Sequence, residues 1–212
     1  MSTHPSRQTT LACVLAGGQS RRMGGGDKTL LDIGGQSMLS VILKRLEPQA
    51  PHIILNANGD PERFAEHKLP VVADPVGDFA GPLAGILAGL SYAKTNAPDM
   101  THVVSVAGDC PFFPTNLVDR FLKAVPANKP VIALASSQDK LHPVFGLWPV
   151  ALESDLRDWL LAGKTGKVLA FVDRHDSVEV AFNDTGPDGL DPFFNANRPD
   201  DLTTARKAIG KL

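Results

Sequence analysis

Between Leu15 and Lys28 the chain reads LAGGQSRRMGGGDK, a stretch whose residue types suit one chemical task, the holding of an anion. Gly17, Gly18, Gly24, Gly25 and Gly26 carry no β-carbon, so the backbone can come close to a phosphate and turn its N–H groups toward it. Arg21, Arg22 and Lys28 thread positive charge through the same segment. Glycines alone would serve equally well as a flexible surface turn. Glycines interleaved with cations fit a polyphosphate better. Two common phosphate cradles do not match: Lys28-Thr29 follows Asp27 rather than the glycine a P-loop needs, and the paired glycines lack the Gly-x-Gly-x-x-Gly spacing of a dinucleotide site.

A second group of candidates is acidic or amide-bearing. Asp109 follows the apolar run His102–Ala107 in the string GDCPF, where a hard carboxylate at a strand end suits Mg²⁺ bridged to phosphate oxygens. The same Asp could simply open a turn before the helix that begins near Pro114. Asn56 and Asp74 each close an apolar run, and each could equally belong to an ordinary Asn-Gly-like or Asp-Pro turn. Asn195 and Asn197 alternate, which puts both side chains on one side of an extended segment, whereas Asn197 alone would serve as a cap before Pro199. His142 opens HPVFGLW and reads either as a site residue or as a satisfied strand-end histidine.

The elements that must carry these residues are legible from apolar spacing. Short runs rich in Val and Ile at Leu11–Ala16, His52–Asn56, Leu69–Ala73, His102–Ala107 and Pro130–Ala135 read as buried parallel strands. Between them, Met38–Leu46 places Met38, Leu39, Ile42, Leu43 and Leu46 on one helical face, Pro82 opens a helix to Ala93, and Leu117, Val118, Phe121 and Leu122 mark a third. Alternation of this kind predicts βαβ units: a single-domain, three-layer α/β/α, Rossmann-like fold with a mostly parallel sheet. Ligands of such sheets lie beyond the carboxyl ends of the strands, where the candidates cluster. After Pro143 the pattern loosens into an apolar run at Val144–Trp148, helices near Ala151–Leu161 and Lys167–Val172, a run at Val178–Phe182 and a helix from Pro199. The 212 residues are read as one domain, with a nucleotide-binding part over about 11–125 and a second part over about 130–212.

Composition removes several classes. With 21 Lys and Arg against 23 Asp and Glu, the net charge of -2 gives no broad attraction to nucleic acid or anionic membrane, so neither is an expected partner. No apolar stretch nears the roughly 20 residues of a membrane span. The polar start MSTHPSRQTT does not read as a signal peptide, and Cys13 and Cys110 have neither metal-binding nor disulfide spacing, so a cytoplasmic location is expected; a monomer is expected as well.

LAGG followed by SRRMG and DK resembles the signature of nucleotidyltransferases with the nucleotide-diphospho-sugar transferase fold, and GDCPF resembles that family's Gly-Asp-x-Pro. HPVFGLW and FFNANRPDDL are similar to segments of the molybdenum cofactor guanylyltransferases, with Asp200 where that family carries Glu. The resemblance implies an Mg²⁺-dependent enzyme of molybdenum cofactor biosynthesis that moves GMP from GTP to the terminal phosphate of molybdopterin, usually after molybdenum insertion. It implies that Leu15, Ala16, Gly17 and Gly18 wrap the triphosphate, that Lys28 and Arg22 neutralise its charge, and that Asp109 binds the metal. Asn56 and Asp74 then lie in the base site, accepting from guanine N1 and N2, and Asn195 and Asn197 face the pterin or the metal. Transient contacts with a molybdenum insertase and molybdoenzyme chaperones are also implied. The alternatives are a related cytidylyl- or sugar-nucleotide transferase, against which HPVFGLW speaks, and a non-catalytic molybdopterin carrier, which would need no triphosphate loop.

Overall fold

The computed structural model describes residues 5–17, 27–77 and 81–211. Gly18, Arg21, Arg22 and the Gly24–Gly26 run lie outside the described residues.

The central strands form where a largely apolar run can be covered on both faces. β1 (Thr10–Leu15), β2 (His52–Asn56) and β4 (His102–Ala107) pair in parallel register, Leu15 standing opposite both Asn56 and Ala107. β3 is only Val71–Val72, shorter than the Leu69–Ala73 run: Pro70 joins the ladder through its carbonyl alone, which accepts the Leu55 N–H at 2.9 Å, since proline has no N–H to donate. β5 (Ile132–Ser137), β6 (Lys140–Pro149) and β7 (Ser177–Ala181) complete a seven-stranded sheet of order β3-β2-β1-β4-β6-β5-β7. Among these strands β6 alone runs antiparallel, wedged between β4 and β5.

The helices cover the two faces as two separate cores. α1 (Met38–Leu46) starts where the Ser37 hydroxyl accepts the Ser40 N–H at 3.1 Å, and its Leu39, Ile42 and Leu46 are fully buried. With α3 (Leu117–Ala124) and α6 (Pro199–Ile209) it packs on the face that carries Ala12 and Val14 of β1. α2 (Pro82–Asn96), α4 (Glu153–Leu161) and α5 (Val168–Val172) cover the opposite face, with Leu11 and Cys13. The strand period of two thus sends alternate β1 residues into different cores. The result is the expected three-layer α/β/α sandwich.

The path of the chain sets the ligand position. It leaves β1 toward β2 and β3, then returns to build β4 on β1's other side, so the strand order reverses between β1 and β4. Loops diverge at such a point and leave a crevice at the carboxyl ends. On β6 the register breaks: Ala135 pairs with His142 while Leu134 pairs with Gly146, and Pro143, Val144 and Phe145 bow out of the ladder. Pro143 tolerates the break because its nitrogen has no proton to lose. The buried Ser105 hydroxyl accepts from Trp148 Nε1 at 2.9 Å and donates to the freed Val144 carbonyl at 2.6 Å.

Candidate active site

A cavity of about 730 Å³ opens over the carboxyl ends of β1, β2 and β4. Leu15, Ala16 and Gly17 form one wall, Asn56 and Asp74 a second, Gly108 and Asp109 the floor, and the bowed strand with His142 the far side. The floor is built by close backbone approach. Gly108 N–H donates to Leu15 O at 3.1 Å, and a β-carbon on Gly108 would lie 2.7 Å from that same oxygen and 2.5 Å from Thr29 Cγ2. Thr29 is buried, and its hydroxyl has no hydrogen-bond partner among the described residues.

Asp109 and Lys28 meet at the centre. Lys28 Nζ stands 3.4 Å from Asp109 Oδ2 and also donates to Asn197 Oδ1. Ala196 N–H donates to the Asp109 carbonyl at 2.9 Å, which anchors the Asn-Ala-Asn segment against the floor. Ala196 is buried while Asn195 and Asn197 remain exposed, the alternation expected of an extended segment, and Asn195 lines the cavity. Asn197 is not the helix cap: the Asp201 carboxylate reaches back to accept the Asn197 and Arg198 N–H groups at 2.9 and 2.8 Å. An acidic side chain can cap from inside the first turn and so leaves the asparagine free for other work. Cys110, next to Asp109, is buried, and burial first, with the nearby Asp109 charge, pushes its thiol pKa well above the ordinary value. Thiolate chemistry has no place here.

On the β2 side, Asn56 Nδ2 donates to Asp74 Oδ1 at 2.9 Å and to Val72 O at 3.1 Å. Asn58 grips the same carboxylate from the other side, giving Nδ2 to Oδ2 at 2.8 Å and accepting the Asp74 N–H at 2.8 Å. Among the described residues each carboxylate oxygen accepts one amide N–H, which leaves it capacity for a further donor, and Asp74 lines the cavity. Gly85 on α2 makes room, since a β-carbon there would fall 2.3 Å from Asn56 Oδ1.

On the far side, His142 stacks on Phe193 with ring centroids 4.5 Å apart. Its Nε2 lies 2.7 Å from Ser137 Oγ, which in turn lies 2.8 Å from Asp191 Oδ2. Burial depresses the His142 pKa, partly offset by the Asp191 charge. Ser137 and Asp191 had no signal in the sequence: each gains its meaning only when the β5–β6 turn meets the segment before Asn195.

Fold and cavity are those of an α/β protein that binds its ligand at the switch point of a mostly parallel sheet. The model for the MobA-like NTP transferase domain matches residues 12–178, and the chain belongs to that family. The molybdenum cofactor guanylyltransferase of Mesorhizobium japonicum is 50% identical over 97% of this chain and 99% of that protein. That of Rhodopseudomonas palustris is 47% identical over 98% and 96%. Among solved structures, molybdopterin-guanine dinucleotide biosynthesis protein A from Archaeoglobus fulgidus superposes with a TM-score of 0.74 at 23% identity, covering 95% of this chain and 99% of that one. At that identity the likeness speaks for the fold.

Proposed function

We propose that the protein transfers GMP from GTP to the terminal phosphate of molybdopterin, releasing pyrophosphate. The observation that carries this reading is the meeting of Lys28, Asp109 and Asn197 at one strand-edge crevice, in a cavity shared with the Asn56–Asp74–Asn58 cluster. The near-full-length relatives of that name support the choice of substrates.

The division of labour follows from charge and position. Guanine N1–H and its 2-amino group donate to the Asp74 carboxylate, whose orientation Asn56 and Asn58 fix. The segment that runs on from β1 in the sequence, Leu15 to Gly18, receives the triphosphate, with Arg22 as a further cation. Lys28 exchanges its carboxylate and amide partners for phosphate oxygens. No group of three or more potential metal-ligating His, Cys, Asp or Glu side chains occurs among the described residues, so an all-protein metal cage is absent there. The lone Asp109 fits Mg²⁺, which is ordinarily held by one or two carboxylates plus substrate phosphates. When bound, Mg²⁺ would supply charge neutralisation on the phosphates.

An oxygen of the acceptor phosphate attacks the α-phosphorus, the bond to the bridging oxygen breaks, and pyrophosphate leaves with the electron pair. The nucleophile is already an anion and needs no general base. The rate gain must therefore come from alignment and charge cancellation, which is what Lys28 provides. Asn195, Asn197 and the His142–Phe193 pair form the acceptor side. Two buried, unpaired cysteines support a cytoplasmic setting, where an insertase and molybdoenzyme chaperones would exchange substrate and product.

The test is pyrophosphate release from GTP with molybdopterin. Lys28→Ala and Asp109→Ala should each lower turnover by roughly 10²- to 10³-fold, the scale of losing one preorganised charge contact. Near-normal turnover in either variant, folded by circular dichroism, would refute the site.

A further inference from the structure

Beside the cavity, Arg63 joins two segments that the proposed reaction uses for different ends of the nucleotide. It sits in the 3-10 turn Pro61–His67, and its Nη2 donates to Asn58 O at 2.6 Å and its Nη1 to Asp60 O at 2.6 Å. Its Nε lies 2.6 Å from Asp27 Oδ2, a charge contact in which the N–H is not directed at the oxygen. The guanidinium also lies 4.7 Å from the centroid of the Phe64 ring. Gly59, at φ +87°, supplies the left-handed turn that this arrangement needs, and a β-carbon there would come within 3.2 Å of Arg63 Nη1.

The two ends of this bridge matter. Asp27 is the residue before Lys28, whose ammonium faces Asp109. Asn58 is the residue that holds Asp74 by both its amide nitrogen and its amide oxygen. An exposed arginine paired with one carboxylate would matter little. Arg63 is only about a quarter exposed and its partner Asp27 about a fifth, and the planar fork of Arg63 fixes two carbonyls while its charge fixes a carboxylate.

The geometry points to Arg63 as a positioning residue that couples the base-reading side of the site to its phosphate side, along Asp74, Asn58, Arg63, Asp27 and Lys28. This rests on the reading of the cavity as a guanine nucleotide site. Its consequence is specific: a change at Asp27, on the phosphate side, alters discrimination at the base.

The experiment measures dissociation constants of GTP and of ITP, which lacks the 2-amino group, for the full chain and for Asp27→Asn, Arg63→Gln and Arg63→Lys. The unaltered protein should prefer GTP. Asp27→Asn and Arg63→Gln should each cut that preference by roughly three- to tenfold, the size of one coupling between contacting groups, and their double variant should be no worse than the more affected single. Arg63→Lys should recover part of it. A merely structural Arg63 would weaken both nucleotides equally and leave the ratio alone. A GTP-to-ITP ratio unchanged in a folded Asp27→Asn or a folded Arg63→Gln protein overturns the coupling while the guanine site stands. An unaltered protein with no preference between the two nucleotides overturns the guanine site, and the coupling with it.

Discussion

Lys28 is held in two directions, by the Asp109 carboxylate and the Asn197 amide oxygen. A long flexible side chain so tethered has few rotamers left, and it lines the cavity. Replacing Asn195 and Asn197 together by Ala should therefore lower turnover with the fold intact, and unchanged turnover would discard their assignment. The cysteines give a sharper check on chemistry that is excluded. Burial first, then the Asp74 charge, drives the Cys13 thiol to about 12, and Cys110 is raised as well. Neither should react with a thiol reagent at pH 8 until denaturant is added, when both should. At this scale the sequence is most readable where a residue type announces its chemistry: LAGG, Asp27-Lys28 and Gly108-Asp109 mark candidates, and Leu15, Gly17, Lys28 and Asp109 line one cavity. It was silent on Ser137, Asp191 and Arg63, whose types are common at any surface and whose partners lie far along the chain.

Elements hold those residues through close backbone contacts, so glycines at packing points are where small changes should tell. Gly108→Ala would drive a methyl to 2.7 Å from the Leu15 carbonyl, which the β1–β2–β4 ladders hold in place. We expect a loss of about 1–3 kcal/mol in unfolding free energy, as for other overpacked sites, measured by urea denaturation. Gly85→Ala should act differently. Its methyl meets the Asn56 amide at 2.3 Å and would push it from Asp74, so GTP affinity should fall more than stability does. Helices and parallel strands were legible because their apolar periods are long and regular: His52–Asn56, His102–Ala107 and Met38–Leu46 form at the residues their spacing marks. β6 was not legible in the same way. An apolar run carries no sign of its direction, so the antiparallel insertion of Lys140–Pro149 between β4 and β5 depends on tertiary pairing alone.

The molecule as a whole buries two cores on either side of one sheet, and its charge chemistry at depth predicts how it responds to acid. Burial lowers the His102 pKa from 6.5 to about 4. Between those values the unfolded chain takes up a proton that the folded one refuses, so stability should fall as pH drops through that window. Denaturation midpoints at a series of pH values should show that slope, and His102→Gln should flatten it. At Glu153, the first residue of α4 and bonded to α2, burial would raise the carboxyl pKa, but hydrogen bonds from Lys94, Arg157 and Ser91 outweigh it and hold it at about 2. Its contribution is present above pH 4.5 and is lost as pH falls toward 2, a separate and lower window. Among the described residues no helix is long and apolar enough to cross a membrane.

The proposed reaction requires one site with one preferred base. Isothermal titration of the full chain with GTP, ATP and CTP in the presence of Mg²⁺ tests it most directly, because Asp74 offers acceptors that only guanine meets with two adjacent donors. GTP should bind at least roughly tenfold more tightly than either competitor, since a base that leaves oriented acceptors unpaired is rejected. Equal affinities, or tighter binding of CTP, would contradict the account.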